Sequence, residues 1–264
     1  MRGVRVMKYG MPSLIETKTL EDCAALCAQL GLDFVELNMN LPQYQADTMD
    51  AEYMRSVADK YGIFYTIHLD ENMNMADFNP LVAEAYRETV RQTIELAKKL
   101  HIPVLNMHMP VGVYFTLPQG KVYLFAEYRQ EFLKNLALFR DECEKAIGDS
   151  GIRICVENWH GYTEWQIEGL DELLKSPVFG LTFDVGHNHC KGGMDEPVIL
   201  GRGARLHHMH LHDVADGKDH RALGTGELDI HRCLELAKKH DCTVVVETKT
   251  IAGLQQSLNW LKKQ

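Results

Sequence analysis

From one end of the chain to the other, short apolar runs alternate with longer stretches of helical periodicity, and no other feature limits the fold as strongly. Each run has the length of a strand and is rich in Val, Ile, Leu and Phe, as expected of strands buried on both faces. The eight runs are residues 4–8, 34–37, 64–67, 104–107, 152–156, 180–183, 206–211 and 243–246. Eight consecutive βα units predict an α/β protein with a closed parallel (β/α)8 barrel, the TIM-barrel architecture.

Residues typical of helix ends separate these runs. Thr19 can cap a helix that Gly31 would end, and Asn79 followed by Pro80 is typical of another helix start. The helices after the fifth and sixth strands, near residues 170–174 and 196–200, are expected to be short. An open, doubly wound sheet is the alternative, but no GxGxxG motif follows the first strand. Since no linker rich in Pro, Gly or Ser interrupts the chain, we predict one domain over residues 1–264.

The composition argues against several classes of function. With 28 Lys and Arg against 37 Asp and Glu, the formal net charge is -9, which disfavours a surface that neutralises nucleic-acid phosphates. No run of 18 apolar residues is present, so we expect no membrane span. The seven cysteines are scattered without a CxxC pair, which is typical of reduced thiols in a cytoplasmic protein.

Acidic residues and histidines stand where the predicted strands end. They are Glu36, His68, His108, Glu157, Asp184, His210 and Glu247. In a parallel barrel all of these ends converge on one mouth, where clustered carboxylates would repel one another without a cation. Carboxylate oxygen and imidazole nitrogen are ligands that first-row divalent ions prefer. The set predicts a metal centre, although each residue alone could be a hydrogen-bonded structural side chain. Glu36 could be either a ligand or a hydrogen-bond partner of one.

Two local clusters extend this pattern. Asp184 is followed three residues later by His187, just outside the strand. His210 is followed by His212, Asp213, Asp216, Asp219 and His220, and then by Leu-Gly-Thr-Gly at 223–226. The second cluster could hold another ion, or it could be a solvated turn with Asx caps. His208 shares the face of His210, and we expect it to pack lower in the barrel and to be hydrogen-bonded rather than a ligand.

These motifs resemble the xylose isomerase-like, AP endonuclease 2 superfamily over essentially the whole chain. The resemblance is carried by Val-Glu-Asn at 156–158, Phe-Asp-Val-Gly-His at 183–187, His-Leu-His-Asp at 210–213, His220 with the Leu-Gly-Thr-Gly that follows, and Glu247. Members of this superfamily include sugar and sugar-phosphate isomerases and epimerases, and endonuclease IV. The resemblance implies a core metal site formed by Glu157, Asp184, His210 and Glu247, which both branches share.

The two branches imply different roles for the other residues. In the isomerase branch, positions like Glu157 and Glu247 also flank the substrate and move protons at carbon, and His187 could orient a substrate hydroxyl or stabilise developing charge. In the endonuclease branch, positions like His68 and His108 bind a further zinc that the glutamate bridges. Positions like His187, an Asp and His220 bind a third ion. Here the chain departs from the hydrolase pattern, because Lys218 stands where Asp is expected and Asp219 comes one residue late.

The expected function is isomerisation or epimerisation of a small sugar or sugar phosphate through a metal-stabilised enediolate, with one to three Mn, Mg, Co or Zn ions. The main alternative is a multinuclear zinc phosphodiesterase, which the acidic charge suits better to a small phosphodiester than to DNA. A metal-dependent lyase or dehydratase and a non-enzymatic binding barrel are further alternatives. The expected partner is a small molecule, and a homo-oligomer is left open.

Specificity in such barrels lies in the loops that follow the strands, here residues 38–48, 70–80 and 109–121. Aromatic side chains in or near these loops could stack on a substrate ring or close a cavity wall: Tyr44, Phe78, Tyr114, Phe115 and Trp159. Lys218 or Arg221 could meet a phosphate or a hydroxyl group.

Overall fold

A computed structural model describes residues 7–264 of the chain, and its strands form a closed parallel barrel. The strands in chain order are β1 Tyr9–Pro12, β2 Phe34–Asn38, β3 Phe64–His68, β4 Val104–His108, β5 Tyr114–Leu117, β6 Gly120–Tyr123, β7 Arg153–Glu157, β8 Phe179–Asp184, β9 Leu206–Leu211, β10 Asp213–Ala215, β11 Lys218–Arg221 and β12 Thr243–Val246. Eight of them close the barrel in the order β1, β2, β3, β4, β7, β8, β9, β12. The predicted (β/α)8 fold class is therefore confirmed.

The predicted first strand, residues 4–8, is wrong in its position. Residues 7 and 8 belong to no strand, residues 4–6 lie outside the described part of the chain, and β1 begins at Tyr9. The sequence of β1 contains Gly10 and Pro12, which are uncommon in strands, so the local pattern favoured the apolar run before it. Gly10 is required because a side chain at that position would overlap the Phe34 ring of the neighbouring strand.

Helices surround the barrel. They are α1 Leu20–Leu30, α2 Ala51–Tyr61, α3 Pro80–Leu100, α4 Leu124–Glu127, α5 Arg129–Ile147, α6 Glu164–Leu173, α7 Val185–Cys190, α8 Asp195–Leu200, α9 Ile230–Lys239 and α10 Ile251–Leu261. The predicted caps of α1 are present, since the Thr19 side chain accepts from the backbone N–H of Asp22 and Gly31 has a φ of 75°. Within residues 7–264 we find no helix with both the length and the apolar content needed to cross a bilayer.

Two short antiparallel hairpins, β5–β6 and β10–β11, project from the mouth of the barrel. The sequence pattern did not predict them, because their strands have only three or four residues and lack a continuous apolar run of the kind seen in the barrel strands. The β5–β6 hairpin occupies the predicted specificity loop 109–121. The β10–β11 hairpin carries Asp219 and His220 toward the carboxyl ends of the strands.

The barrel interior is partly polar below its mouth. Thr66, Asn106 and Thr182 are fully buried on β3, β4 and β8, each two residues before a predicted site residue. Because side chains alternate between the two faces of a strand, a residue two positions before a site residue points in the same direction. These side chains form a hydrogen-bonded layer that supports the residues above it.

The acidic motif after β9 has a structural role at Asp213. Its carboxylate is buried and accepts hydrogen bonds from the backbone N–H groups of Val214, Thr225, Gly226 and Leu228, at 2.9–3.1 Å. It therefore fixes the Leu-Gly-Thr-Gly loop against β10. Gly226 is needed there because a side chain would overlap the Asp213 carboxylate and the Val214 carbonyl oxygen.

Asp213→Ala should lower the free energy of unfolding by about 2–3 kcal/mol, because four backbone donors lose a charged acceptor. Chemical denaturation followed by circular dichroism measures this loss. Asp47→Ala, at an exposed position, is the control and should change the stability by less than about 0.5 kcal/mol. Equal stability of the two variants would contradict the assigned role of Asp213.

Candidate metal centre

The strand ends bring the predicted residues to one place at the barrel mouth. His68, His108, Glu157 and Asp184 are the last residues of β3, β4, β7 and β8, and Glu247 directly follows β12. The register of the sheet pairs His108 with Glu157 and Asp184 with His210. All of these side chains are buried. The convergence of the strand ends thus follows from the parallel barrel itself.

Glu157, Asp184, His210 and Glu247 form the tightest group, which we call the quartet. One ligand-type atom from each lies within 4.8 Å of the others. His210 Nδ1 is 3.1 Å from Glu247 Oε2, 3.3 Å from Glu157 Oε1 and 3.9 Å from Asp184 Oδ2. A single imidazole nitrogen is therefore surrounded by oxygens of three carboxylates.

The donor atoms of the quartet fit a divalent cation. His210 Nδ1 and Glu247 Oε2 are buried, yet neither has a hydrogen bond of acceptable geometry although they lie 3.1 Å apart. Buried polar atoms without partners are rare, and three buried carboxylates in contact range repel one another. An ion held by oxygen and imidazole ligands would satisfy both the unpartnered atoms and the excess charge.

The surrounding imidazoles already stabilise the ionised carboxylates. Burial alone would raise the pKa of Glu157, but the charges of His210 and His108 outweigh it and hold that pKa well below its usual value. Burial opposes the same effect at Glu247, where Lys249 and His210 lower the pKa. Burial would lower the pKa of His210, but Glu157 and Glu36 raise it well above its usual value. Glu157 and Glu247 are thus held in the ionised form that binds cations.

Asp184 has two structural roles beside its place in the quartet. Its Oδ1 caps α7 by accepting from the backbone N–H of His187 at 2.7 Å. His212 Nδ1 accepts from the backbone N–H of His220, so its Nε2 carries the proton and donates to the Asp184 carboxylate at 3.1 Å. Gly186 allows this packing, because a side chain there would overlap the His212 ring. Asp184 is therefore held in one orientation.

Glu36 lies beneath the quartet rather than in it. Its Oε1 is 2.8 Å from His210 Nε2, and its Oε2 accepts from His208 Nε2 at 3.0 Å and from Thr66 Oγ1 at 2.9 Å. Glu36 thus contacts His210 through Nε2, on the side away from the quartet, and leaves Nδ1 facing the three carboxylates. Glu36, His208 and His210 are also close enough to share an ion. However, His208 Nδ1 is already within 2.5 Å of Thr243 Oγ1, so both of its nitrogens have partners.

His68 and His108 approach Glu157 from the adjacent strands. Each Nε2 is 3.4 Å from Glu157 Oε2, and the two rings contact edge to face. The charge and hydrogen bond of Glu157 raise the pKa of His68 to about 9 against the opposing effect of burial. Asn106 Nδ2 donates to the same oxygen of Glu157, and Thr182 Oγ1 holds Asn106 at 2.6 Å. His68, His108 and Glu157 form a second group that could share an ion.

His187 and His220 form a third group with Asp219. His187 Nδ1 is 3.2 Å from Asp184 Oδ2, and its Nε2 is 3.7 Å from Asp219 Oδ2. His220 Nδ1 is 3.0 Å from Asp219 Oδ1. Asp219 therefore reaches both imidazoles, although it stands one residue after the position where the hydrolase pattern has Asp. Lys218, which occupies that position, is exposed. Despite opposing burial, Asp184 and Glu157 raise the pKa of His187 to about 10.

A cavity of about 430 Å³ opens beside the quartet. Glu36, His68 and Glu247 lie at its base, and both polar and apolar side chains at the ends of β1, β2 and β3 and in the loops after them form the walls. The apolar ones are Pro12, Leu14, Ile15 and Leu41. The polar ones include Ser13, Asn38, Asn40, Glu71 and Asn72. Lys249 lines the same cavity, with its Nζ 2.6 Å from Glu247 Oε1. The motifs gave no signal for Lys249, whereas Thr66, Asn106 and Thr182 could have been found from their two-residue spacing to His68, His108 and Asp184.

The fold and the site define a (β/α)8 barrel protein with a carboxylate and imidazole centre at its mouth. Residues 24–264 match the xylose isomerase-like TIM barrel family, and the chain belongs to that family. An uncharacterised protein of Methanocaldococcus jannaschii is 27% identical, over 97% of this chain and 89% of its own length.

Solved structures of sugar epimerases resemble the chain over nearly its full length. A D-tagatose 3-epimerase-like protein has a TM-score of 0.77 at 27% identity and covers 97% of this chain and 96% of its own. The 3-keto-D-glucoside 4-epimerase of E. coli also has a TM-score of 0.77 at 15% identity, with 98% and 100% coverage. At that identity the likeness shows the fold alone. The expected class, an isomerase- or epimerase-like enzyme of this family, is confirmed.

Glu36→Gln should weaken Mn²⁺ binding about 10–100-fold, because His210 loses the carboxylate that orients its ring. Calorimetric titration of the metal-free protein with Mn²⁺ measures the affinity without requiring turnover. Glu235→Gln, an exposed change on α9, supplies the matched control and should bind Mn²⁺ as the unaltered protein does. Unchanged affinity in Glu36→Gln would show that the contact with His210 does not orient a ligand.

Proposed function

We propose that the chain is a divalent-metal-dependent isomerase or epimerase that acts on a small sugar or sugar phosphate. One observation carries the proposal: Glu157 and Glu247 each have one oxygen held by a neighbour and the other directed toward His210. Asn106 donates to Glu157 Oε2, and Lys249 donates to Glu247 Oε1. Glu157 Oε1 and Glu247 Oε2 then face the same imidazole nitrogen, at 3.3 and 3.1 Å.

Two fixed carboxylates are what proton transfer at carbon requires. Glu157, Asp184, His210 and Glu247 would hold the ion, which when bound polarises the substrate carbonyl and stabilises negative charge on its oxygen. Glu247 Oε2, as the ionised base, would accept the proton from the carbon beside the carbonyl. Glu157, in its protonated form, would supply a proton from Oε1 to the opposite face of that carbon, or the two would exchange roles. The proton gained by the base replaces the one given by the acid, through exchange with solvent, before the next turnover. Lys249 and His210 lower the pKa of Glu247 against the opposing effect of burial, which keeps this glutamate ionised as the base.

The surrounding residues bind and orient the substrate. His187 and Lys249 lie next to the two glutamates, so a hydroxyl or an oxygen of the substrate can hydrogen-bond to them. The hydroxyl, amide and carboxylate groups of the 430 Å³ cavity suit a compound with several hydroxyl groups. The likeness of the chain, at 27% identity, to a structure named as a D-tagatose 3-epimerase-like protein supports this choice of substrate class.

A multinuclear zinc phosphodiesterase is the second candidate, and the two additional imidazole groups favour it. His68 and His108 converge on Glu157, and His187 and His220 converge on Asp184, Glu247 and Asp219. Several ions could therefore share the carboxylates of the quartet, as metal-activated attack on phosphorus requires.

Glu157→Gln and Glu247→Gln should each reduce turnover about 10²–10⁴-fold, because an amide cannot accept the proton from carbon. The assay follows epimerisation of D-fructose and D-tagatose with Mn²⁺ in D₂O, and NMR detects deuterium that enters at the carbon beside the carbonyl. Glu235→Gln should retain full activity. Full activity in both site variants, or hydrolysis of bis(p-nitrophenyl) phosphate without deuterium exchange on any of a panel of ketoses, would overturn the proposed reaction.

His68→Ala and His108→Ala distinguish the two candidates. If the quartet alone holds the essential ion, each change should reduce epimerase turnover by less than about tenfold, since neither side chain belongs to the quartet. A multinuclear hydrolase should instead lose activity on bis(p-nitrophenyl) phosphate more than about a hundredfold, because the bridged ion would be lost. Metal content per chain, measured by inductively coupled plasma spectrometry, gives an independent comparison of the variants.

A further inference from the structure

A second cavity, of about 380 Å³, lies next to the first around the loops after β3, β4 and β7. Glu71 and Asn72 line both cavities and form their common wall. The second cavity also reaches the first two turns of α3, where it meets Val82 and Tyr86. A ligand bound above the quartet could therefore extend past Glu71 into this space.

Trp159 connects the second cavity to the candidate centre. Its indole lines the cavity, is 37% exposed and stacks on the His108 ring at 5.1 Å with an interplanar angle of 10°. His108 Nε2 in turn lies 3.4 Å from Glu157. Only one imidazole ring thus separates the aromatic wall of the cavity from a carboxylate of the quartet.

The chemistry of the walls restricts what can bind. Val82, Tyr86, Met109, Val111 and Trp159 supply apolar and aromatic surface, which suits the face of a ring. Among its lining residues that the structure describes, the charged ones are Glu71 and Asp77, both acidic. A phosphate or carboxylate would meet like charge there, whereas a neutral ring with hydroxyl groups could donate to Glu71 at the rim.

We propose that this cavity is a subsite for a neutral ring joined to the reacting sugar, so that the enzyme takes a substrate with two linked parts. The inference rests on the proposed epimerase function, because it places the sugar end of the substrate above the quartet. The ring could be an aryl group or a second sugar, since both present an apolar face. Binding of the ring is a separate event from the proton transfer and can be measured without it.

Calorimetry with three probes tests the subsite in the Mn²⁺-loaded protein: D-fructose, 6-O-benzyl-D-fructose and 6-O-α-D-glucosyl-D-fructose. At least one of the two-part probes should bind about tenfold more tightly than D-fructose, because apolar surface of its ring is removed from water when it enters the cavity. Tighter binding of the benzyl compound alone identifies an aryl ring, and tighter binding of the glucosyl compound alone identifies a second sugar. Equal affinity for all three probes, or no binding of any, overturns the proposal.

Val82→Trp and Leu81→Trp locate the ring. Val82 is 38% exposed and lines the cavity, whereas its neighbour Leu81 is 79% exposed and does not. Val82→Trp should fill the space and reduce the tenfold advantage to less than about threefold, and Leu81→Trp should preserve it. An advantage that survives Val82→Trp would place the ring elsewhere. If deuterium exchange is absent but the two-part probe still binds more tightly, the epimerase function is wrong and the subsite is supported. If deuterium exchange occurs but the two-part probes bind no more tightly than D-fructose, only the subsite is wrong.

Discussion

Three carboxylates buried within reach of one imidazole nitrogen are the constraint on which the rest of this structure depends. Burial of like charges is costly unless opposite charges or a cation compensate them. Around Glu157, Asp184 and Glu247 the chain places six histidines and Lys249. Among them His210, His108 and Lys249 hold the pKa values of the two glutamates low. The arrangement is stable as a set, because removal of any member leaves another with an uncompensated charge.

The layer below the mouth explains how such a cluster can be rigid. Thr182, Asn106 and Glu157 form one chain of hydrogen bonds. Thr66 donates to Glu36, whose other oxygen lies 2.8 Å from His210 Nε2. Each series of contacts begins on the polar barrel interior and ends at a residue of the quartet. Because both oxygens or both nitrogens of these residues are assigned to different neighbours, the atom that faces the centre is fixed. A barrel filled only with aliphatic side chains could not provide this orientation.

The isomerase and hydrolase candidates would use the same carboxylates of the quartet to hold ions. These carboxylates lie within reach of three groups of imidazoles. Glu157 faces His68 and His108 with one oxygen, and His187 and His210 with the other. The chemistry therefore depends on which groups hold ions and on what the adjacent cavities admit. The two cavities differ in the side chains that line them: the first contains Glu36, His68, Glu247 and Lys249, and the second contains Tyr86, Met109 and Trp159.

The sequence by itself determined the barrel and most of its centre, because both follow from local patterns. Seven of the eight predicted runs coincide with barrel strands, and the acids and histidines at their ends meet as expected. Tertiary structure alone decided the position of β1, where a close contact between Gly10 and Phe34 outweighs strand propensity. It also decided that Glu36 orients His210, that Asp213 holds a loop and that Lys249 pairs with Glu247. These roles depend on which atoms of distant strands and loops meet, and a pattern along the chain carries no information about such distances.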